Sequence, residues 1–213
     1  MSSYRLEVSD ARQFIGSLEP DSVDACISDA PFGILEEEWD NAGCSVTIEL
    51  MPLLYRAMKP HAWGIIFINC WHVSLIRDAA IAAGFKFVDL IVWKKTSPNL
   101  QTPLETAIRF RKKGLNRFEV KPPCMYINQV ASRYRNLEID AGIHHPCRKP
   151  VRLMRKIIKD YTNRNDFIVD PFIGSGTTAV AAAIEERFCW GCDVTEEYFV
   201  DAAWRLKNYR LYA

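Results

Sequence analysis

The chain has 213 residues, 49% of them apolar and 25% charged, with a formal net charge of +1. That is enough to bury one substantial α/β core, and no apolar run approaches the roughly 18 residues of a membrane span. The start Met1-Ser2-Ser3-Tyr4-Arg5 lacks the apolar core of a secretion signal, so a soluble, cytoplasmic chain is expected. The seven cysteines are odd in number and scattered, which excludes a disulfide framework. Cys189-x-x-Cys192 has zinc or redox spacing, but it falls in an apolar, strand-like run with no second pair, so both are read as packing residues and no metal is expected.

In chain order, 4–8 predicts a short strand ending near Asp10, 11–18 a helix, and 23–28 a strand that runs into Asp29-Ala30-Pro31-Phe32-Gly33. A helix follows over 47–58, with Lys59-Pro60 as its stop, then a strand at 63–68 and a helix over 73–83 closed by Gly84. Strands are predicted at 87–93 and 106–110, and the sequence up to His145 is poorly patterned. Pro150 is well placed to begin a helix that continues to about Tyr161. The remainder reads strand (167–169), Gly-rich turn, Ala-rich helix, strand (188–192), and a final helix over 196–208. Strands alternating with helices imply one doubly wound, mostly parallel α/β domain over 1–213, with ligands at the carboxyl edge of its sheet.

The turn in the last third is the first chemical centre. Asp166-Phe167-Ile168-Val169-Asp170-Pro171-Phe172-Ile173-Gly174-Ser175-Gly176-Thr177-Thr178 leads into Ala179 to Ala183. Two glycines one residue apart permit a tight turn and close backbone approach, and a helix start presents unpaired N–H groups. Thr177 stands where a phosphate-binding loop needs Lys, so that pattern fails. Gly174, Gly176 and Ala179 fit a dinucleotide pattern formally, and Asp193, ending the next apolar run, is placed to bind a ribose diol. NAD and S-adenosylmethionine suit that geometry equally, and the bland alternative is an ordinary Gly turn with a surface Asp behind it. The second centre is 29–33, where a strand ends in a carboxylate, a Pro-stiffened turn and an aromatic ring.

Charge is unevenly distributed. Residues 94–164 hold 17 Lys and Arg against 5 Asp and Glu, a balance of +12, while the rest of the chain balances at −11. Such a block is either a solvated face or a phosphate-contacting surface. Tyr126, Asn128, Gln129 and Tyr134, interleaved with it, are types that stack on bases or read their edges.

At this point the chain resembles a family. Asp29-Ala30-Pro31-Phe32 resembles the D-P-P-Y/F tetrapeptide of amino-group DNA methyltransferases, and 170–178 resembles their S-adenosylmethionine motif. His145-Pro146-Cys147-Arg148-Lys149-Pro150 is similar to their H-P-x-x-K-P segment, 191–198 to their ribose-binding turn, and Trp93-Lys94-Lys95 to their W-x-K strand end. Phe32-Gly33 followed by Trp39-Asp40 resembles the adenine-N6 branch, and the order of motifs resembles the permuted, β-class arrangement.

The resemblance implies a circularly permuted, seven-stranded Rossmann-like sheet and methyl transfer from S-adenosylmethionine to adenine N6 in double-stranded DNA, with the base flipped out. It further implies a bacterial or phage origin and the setting of restriction-modification. By the same resemblance Asp10 lies near the cofactor adenine, Asp193 holds the ribose, Phe172, Gly174 and Gly176 pack along the cofactor, and Lys149, Asp170 and Thr177 sit near its methionine end. Asp29 and the Ala30 carbonyl would hold the target amino group, with Pro31 shaping the turn and Phe32 stacking on the base. Ala30 departs from the family's first Pro and lacks its fixed φ, so activity is expected but weakened. The basic insertion at about 111–144 is short for target recognition, which predicts a brief site, low specificity, or a homodimer partner. Cytosine N4, an RNA or protein amino group, and a non-catalytic DNA-binding role stay open as alternatives.

Overall fold

The computed structural model describes residues 4–33, 44–95, 103–114, 122–128 and 148–212. These residues form strands β1 (Tyr4–Val8), β2 (Val23–Asp29), β3 (Met58–Ile68), β4 (Lys86–Lys95), β5 (Leu104–Arg111), β6 (Met125–Asn128), β7 (Phe167–Asp170) and β8 (Phe188–Asp193). The main helices are α1 (Ala11–Ser17), α2 (Ser45–Ala57), α3 (Val73–Ala82), α4 (Val151–Tyr161), α5 (Thr177–Ile184) and α6 (Glu196–Lys207). All eight strands join one sheet in the order β1-β8-β7-β2-β3-β5-β4-β6. Pairing is parallel from β1 through β3, antiparallel on both sides of β5, and parallel again between β4 and β6. The first half of the sheet therefore mixes the start and the end of the chain, as a permuted order requires.

The expected seven-stranded sheet has an eighth strand. β6 lies within the stretch read as an insertion and pairs with β4 from Val92↔Met125 to Lys95↔Asn128. Exposed Met125 and Ile127 alternate with buried Tyr126, but four residues are too short a run for period-two alternation to stand out. Arg111, taken as the first residue of the insertion, is the last residue of β5. Lys59-Pro60 ends no helix by a loop either: α2 stops at Ala57 and the chain enters β3 at Met58. A register shift opposite Val23 and Ala25, with His61 at φ 77°, accommodates Pro60 inside the strand.

Alternation along the strands sorts the core onto two faces. Ala25, Ile27, Ile65, Phe67 and Ile168 pack with α4, α5 and the end of α6. Cys26, Ile66, Ile68 and Val169 pack with α1, α2 and α3. Cys189 belongs to the first face and Cys192 to the second, so the two thiols point to opposite sides of β8. Both are free and buried, which is how packing cysteines behave. No helix among the described residues is long and apolar enough to cross a membrane.

Candidate active site

Four adjacent parallel strands each deliver a carboxylate to one edge. Asp193, Asp170 and Asp29 are the last residues of β8, β7 and β2, and Asp10 stands two residues beyond the end of β1. Asp10 caps α1, accepting from the Arg12 N–H at 2.8 Å, and the Arg12 guanidinium beside it holds its carboxyl below the usual range. Asp193 Oδ2 accepts from the Gly174 N–H at 3.0 Å and Oδ1 from the Thr195 N–H at 2.9 Å, while burial pushes its carboxyl up. Asp10 Oδ1 takes both the N–H and the Nε–H of Arg12, but Asp10 Oδ2 keeps a lone pair, as do the Asp193 oxygens, so both carboxylates remain able to accept from a diol. Val8 and Val194, beside these two carboxylates, are half or more exposed. Apolar surface next to paired acceptors fits a nucleoside such as the adenosine part of S-adenosylmethionine.

The Gly-rich turn between β7 and α5 is held from below. Gly174 (φ 46°) and Gly176 (φ 80°) take left-handed conformations, and a Cβ on Gly176 would sit 2.8 Å from the Ala202 Cβ. Buried Arg205, from α6, donates through Nη1 to the Ser175 carbonyl at 2.8 Å, the Ser175 hydroxyl at 3.1 Å and the Thr177 hydroxyl at 2.9 Å. Asp170 accepts from the Ser28 hydroxyl and from the Phe172 N–H at 3.1 Å. Burial pushes its carboxyl up to about 6 despite those donors. The Thr177 and Asp170 side chains are thus engaged in building the turn, and Phe172 packs partly buried against the second core face.

Asp29 anchors the other cluster. Lys149, just ahead of α4, donates to both of its oxygens at 2.6 and 2.7 Å and lies 3.1 Å from Glu105 Oε2. Glu105, from β5, is ion-paired in turn with Lys95 at the end of β4. Burial pushes the Asp29 carboxyl up to about 6, opposed by Lys149 and Lys95. Burial also works against the Lys149 ammonium, but Asp29 and Glu105 outweigh it and leave the group above its ordinary value. Glu105 is held low because Lys149 and Lys95 outweigh its own desolvation. Ala30 is buried and its N–H donates to the Phe67 carbonyl at 3.1 Å, and the Phe32 ring lies 5.0 Å from the Lys149 ammonium.

All twelve residues singled out from the sequence lie at or beneath this edge, in two groups: Asp10, Asp193 and the Gly turn around one end, and 29–32 with Lys149 at the other. Glu105, Arg205 and Ser28 were missed, and nothing local marks them: each acts through a side chain on a residue at least 28 positions away in sequence. Lys95 was visible only as part of the W-x-K match. Trp39, Asp40, His145, Gln129 and Tyr134 lie outside the described residues. Tyr126 corrects the reading of base-stacking aromatics, because its ring is buried and its hydroxyl donates to Asp160 Oδ2 at 2.9 Å. The basic block is also less of a free surface than its balance suggests. Lys95, Arg109, Lys112, Lys149, Arg155 and Arg164 each pair with an acid, four of these acids outside 94–164 by more than twenty positions.

The family model described as DNA methylase, of the N6/N4 type, matches residues 23–203. The type II methyltransferase M2.DpnII of Streptococcus pneumoniae is 27% identical over 236 residues, covering 93% of this chain and 88% of its own length. The crystal structure of the M1.HpyAVI complex with S-adenosylmethionine superposes with a TM-score of 0.74 at 27% identity, covering 95% of this chain and all of that one. The cytosine-N4-specific PvuII DNA methyltransferase shares the fold, with a TM-score of 0.78 at 17% identity over 100% of this chain and 92% of its own. With the family model spanning every residue of the two clusters except Asp10, the chain belongs to the N6/N4 amino-group DNA methyltransferases, which use S-adenosylmethionine.

Proposed function

We propose that this chain methylates the exocyclic N6 of adenine in duplex DNA, using S-adenosylmethionine and taking the base out of the stack. What carries this is the placement of Asp29, the Ala30 carbonyl and Phe32 together at the carboxyl edge, across from the Gly turn that suits the cofactor. The adenine amino group is a poor nucleophile because its lone pair is delocalised into the ring. Two acceptors on its hydrogens favour a pyramidal nitrogen with the lone pair directed outward, and the Asp29 carboxylate and Ala30 carbonyl are those acceptors. Phe32 supplies an aromatic face for the extruded base, offsetting part of the few kcal/mol that unstacking costs. The proton released from nitrogen leaves through Asp29, whose carboxyl titrates close enough to neutrality to take and release it.

For the cofactor, Asp193 would hold the ribose hydroxyls, Asp10 the region of the adenine, and Phe172, Gly174 and Gly176 would line its length. When bound, S-adenosylmethionine supplies an electrophilic methyl group. Asp rather than Ser at position 29 favours adenine by family resemblance, with cytosine N4 as the second reading on the same acceptor geometry. The test is nucleoside analysis of unmethylated duplex DNA after incubation with enzyme and labelled cofactor. N6-methyladenine is expected, N4-methylcytosine would keep the mechanism and change the base, and label in neither would overturn the assignment.

A further inference from the structure

Asp29 can hold an amino group only where one of its oxygens is open, yet the Lys149 ammonium contacts both, at 2.6 and 2.7 Å. Lys149 is buried, so pulling it away without a second partner would leave an unpaired charge out of water. A second partner is in place. Glu105 Oε2 is 3.1 Å from the same ammonium, close enough for an ion pair but not aligned as a hydrogen bond. The other Glu105 oxygen is paired with Lys95, which fixes the carboxylate where it stands. A buried acceptor oxygen without a hydrogen bond is costly, and that cost is relieved when the ammonium turns toward it.

We propose that Glu105 is a positioning residue for methyl transfer: it draws the Lys149 ammonium off Asp29 as the target amino group arrives, and Lys95 holds Glu105 ready to do so. One lysine is shared by two carboxylates, and the acceptor opens by exchange of an ion pair rather than by baring a buried charge. Two carboxylates and two ammonium groups make the cluster neutral in both positions of Lys149. Among the described residues, the charged groups facing Asp29 are Lys149 ahead of α4, Glu105 from β5, Lys95 from β4 and, behind Ser28, Asp170 from β7. The proposal rests on Asp29 being the amino acceptor.

The experiment is carbon-13 NMR titration of the Asp29 carboxyl in the full chain without cofactor or DNA, alongside steady-state methyl transfer. The wild-type midpoint is expected at about 6. Glu105→Gln removes a neighbouring negative charge and leaves Lys149 undivided on Asp29, so the midpoint falls by about one pH unit and kcat by about tenfold. The acid limb of the rate profile moves down with it, and Glu105→Asp recovers most of the lost kcat. Lys95→Gln acts the other way: Glu105, no longer shared, draws Lys149 further, and the Asp29 midpoint rises. Opposite shifts by themselves follow from the charges removed; what a merely structural role would not produce is a fall in the pH-independent kcat of Glu105→Gln at unchanged KM with recovery in Glu105→Asp, and should Glu105→Gln not fold, a pH-independent kcat in Lys95→Gln at or above the parent carries the test. An unchanged pH-independent kcat in Glu105→Gln, a loss of kcat in Lys95→Gln as large as that in Glu105→Gln, or an unmoved midpoint in both variants overturns the proposal. Because the titration needs no substrate, failure of the proposed methyl transfer would be seen separately, in the wild-type enzyme.

Discussion

The two ends of the active edge are held by different physics. Around Asp170 and Asp193 the carboxylates accept from backbone N–H groups of the turns beside them, Phe172, Gly174 and Thr195, and Asp10 accepts from the Arg12 N–H as well as from its guanidinium. Around Asp29 they are held by ammonium groups on long side chains, Lys149 and Lys95. Backbone donors cannot rotate away, so the first end is a rigid cradle suited to a ligand of fixed shape. Ammonium groups on four-carbon stems can swing between partners, so the second end can be rearranged by what enters it. On the proposed function, binding and chemistry are divided accordingly.

Several measurements would sharpen or break that division. The largest effect expected at the cradle is in Asp193→Ala, which removes both the proposed diol acceptor and the partner of the Gly174 and Thr195 N–H groups. Cofactor affinity measured by calorimetry should fall about 100-fold, roughly 3 kcal/mol, and a loss of only a few-fold would mean the cradle does not depend on it. Arg205→Ala should destabilise the fold by about 3 kcal/mol in urea unfolding, since it strips the Ser175 and Thr177 oxygens of a buried donor. Arg205→Lys should not restore it, because one ammonium cannot reproduce the guanidinium fork.

At the other end, pH is the probe. With the Asp29 carboxyl raised to about 6, kcat should drop about tenfold per unit below that pH as the acceptor is protonated. For stability the sign is the reverse. Asp29 and Asp170 both titrate above the ordinary carboxylate value of 3.8, so the folded state binds more protons than the unfolded one between about 4 and 6. Their contribution is complete below that window and lost as pH rises through about 6. Asp170→Asn should therefore shrink the stability gained on going from pH 7 to pH 5.

The smallest effect expected is in Ala30→Pro. Proline would remove the N–H donated to the Phe67 carbonyl, costing about 1 kcal/mol, while stiffening the unfolded chain by about 0.4–1 kcal/mol in the opposite sense. Stability should stay close to the parent, and kcat should gain no more than a few-fold, because the weakening expected from the missing fixed φ is small beside the loss of a ladder donor. A large gain in kcat would show that backbone rigidity, and not the lysine-held carboxylate, limits the second end.

The same division explains how far the amino-acid sequence could be read. Strand-end carboxylates and paired glycines make their contacts within a few residues or with the adjacent strand, so Asp193, Gly174 and Gly176 stood out as a local pattern. The pairing of Lys149 with Asp29 spans 120 positions, and Glu105 lies in a strand whose pattern reports only that alternate residues are buried. No spacing rule links residues brought together by strand order. β6 escaped for a related reason, since an edge strand of four residues is fixed by pairing with β4 more than by its own composition. The basic block misled in part because charge counts do not reveal partners: Arg155 meets Glu185 and Lys112 meets Asp21 only after folding.

The most direct test of the account is Asp29→Ala, assayed in parallel for tritiated methyl transfer to unmethylated duplex DNA and for S-adenosylmethionine binding by calorimetry. Transfer should fall by about a hundredfold or more, as expected for loss of an electrostatic acceptor at the reacting group, with cofactor affinity within a few-fold of the parent. Retained transfer, or cofactor binding lost together with transfer, would contradict the separation of a backbone-built cradle from a lysine-held reaction centre.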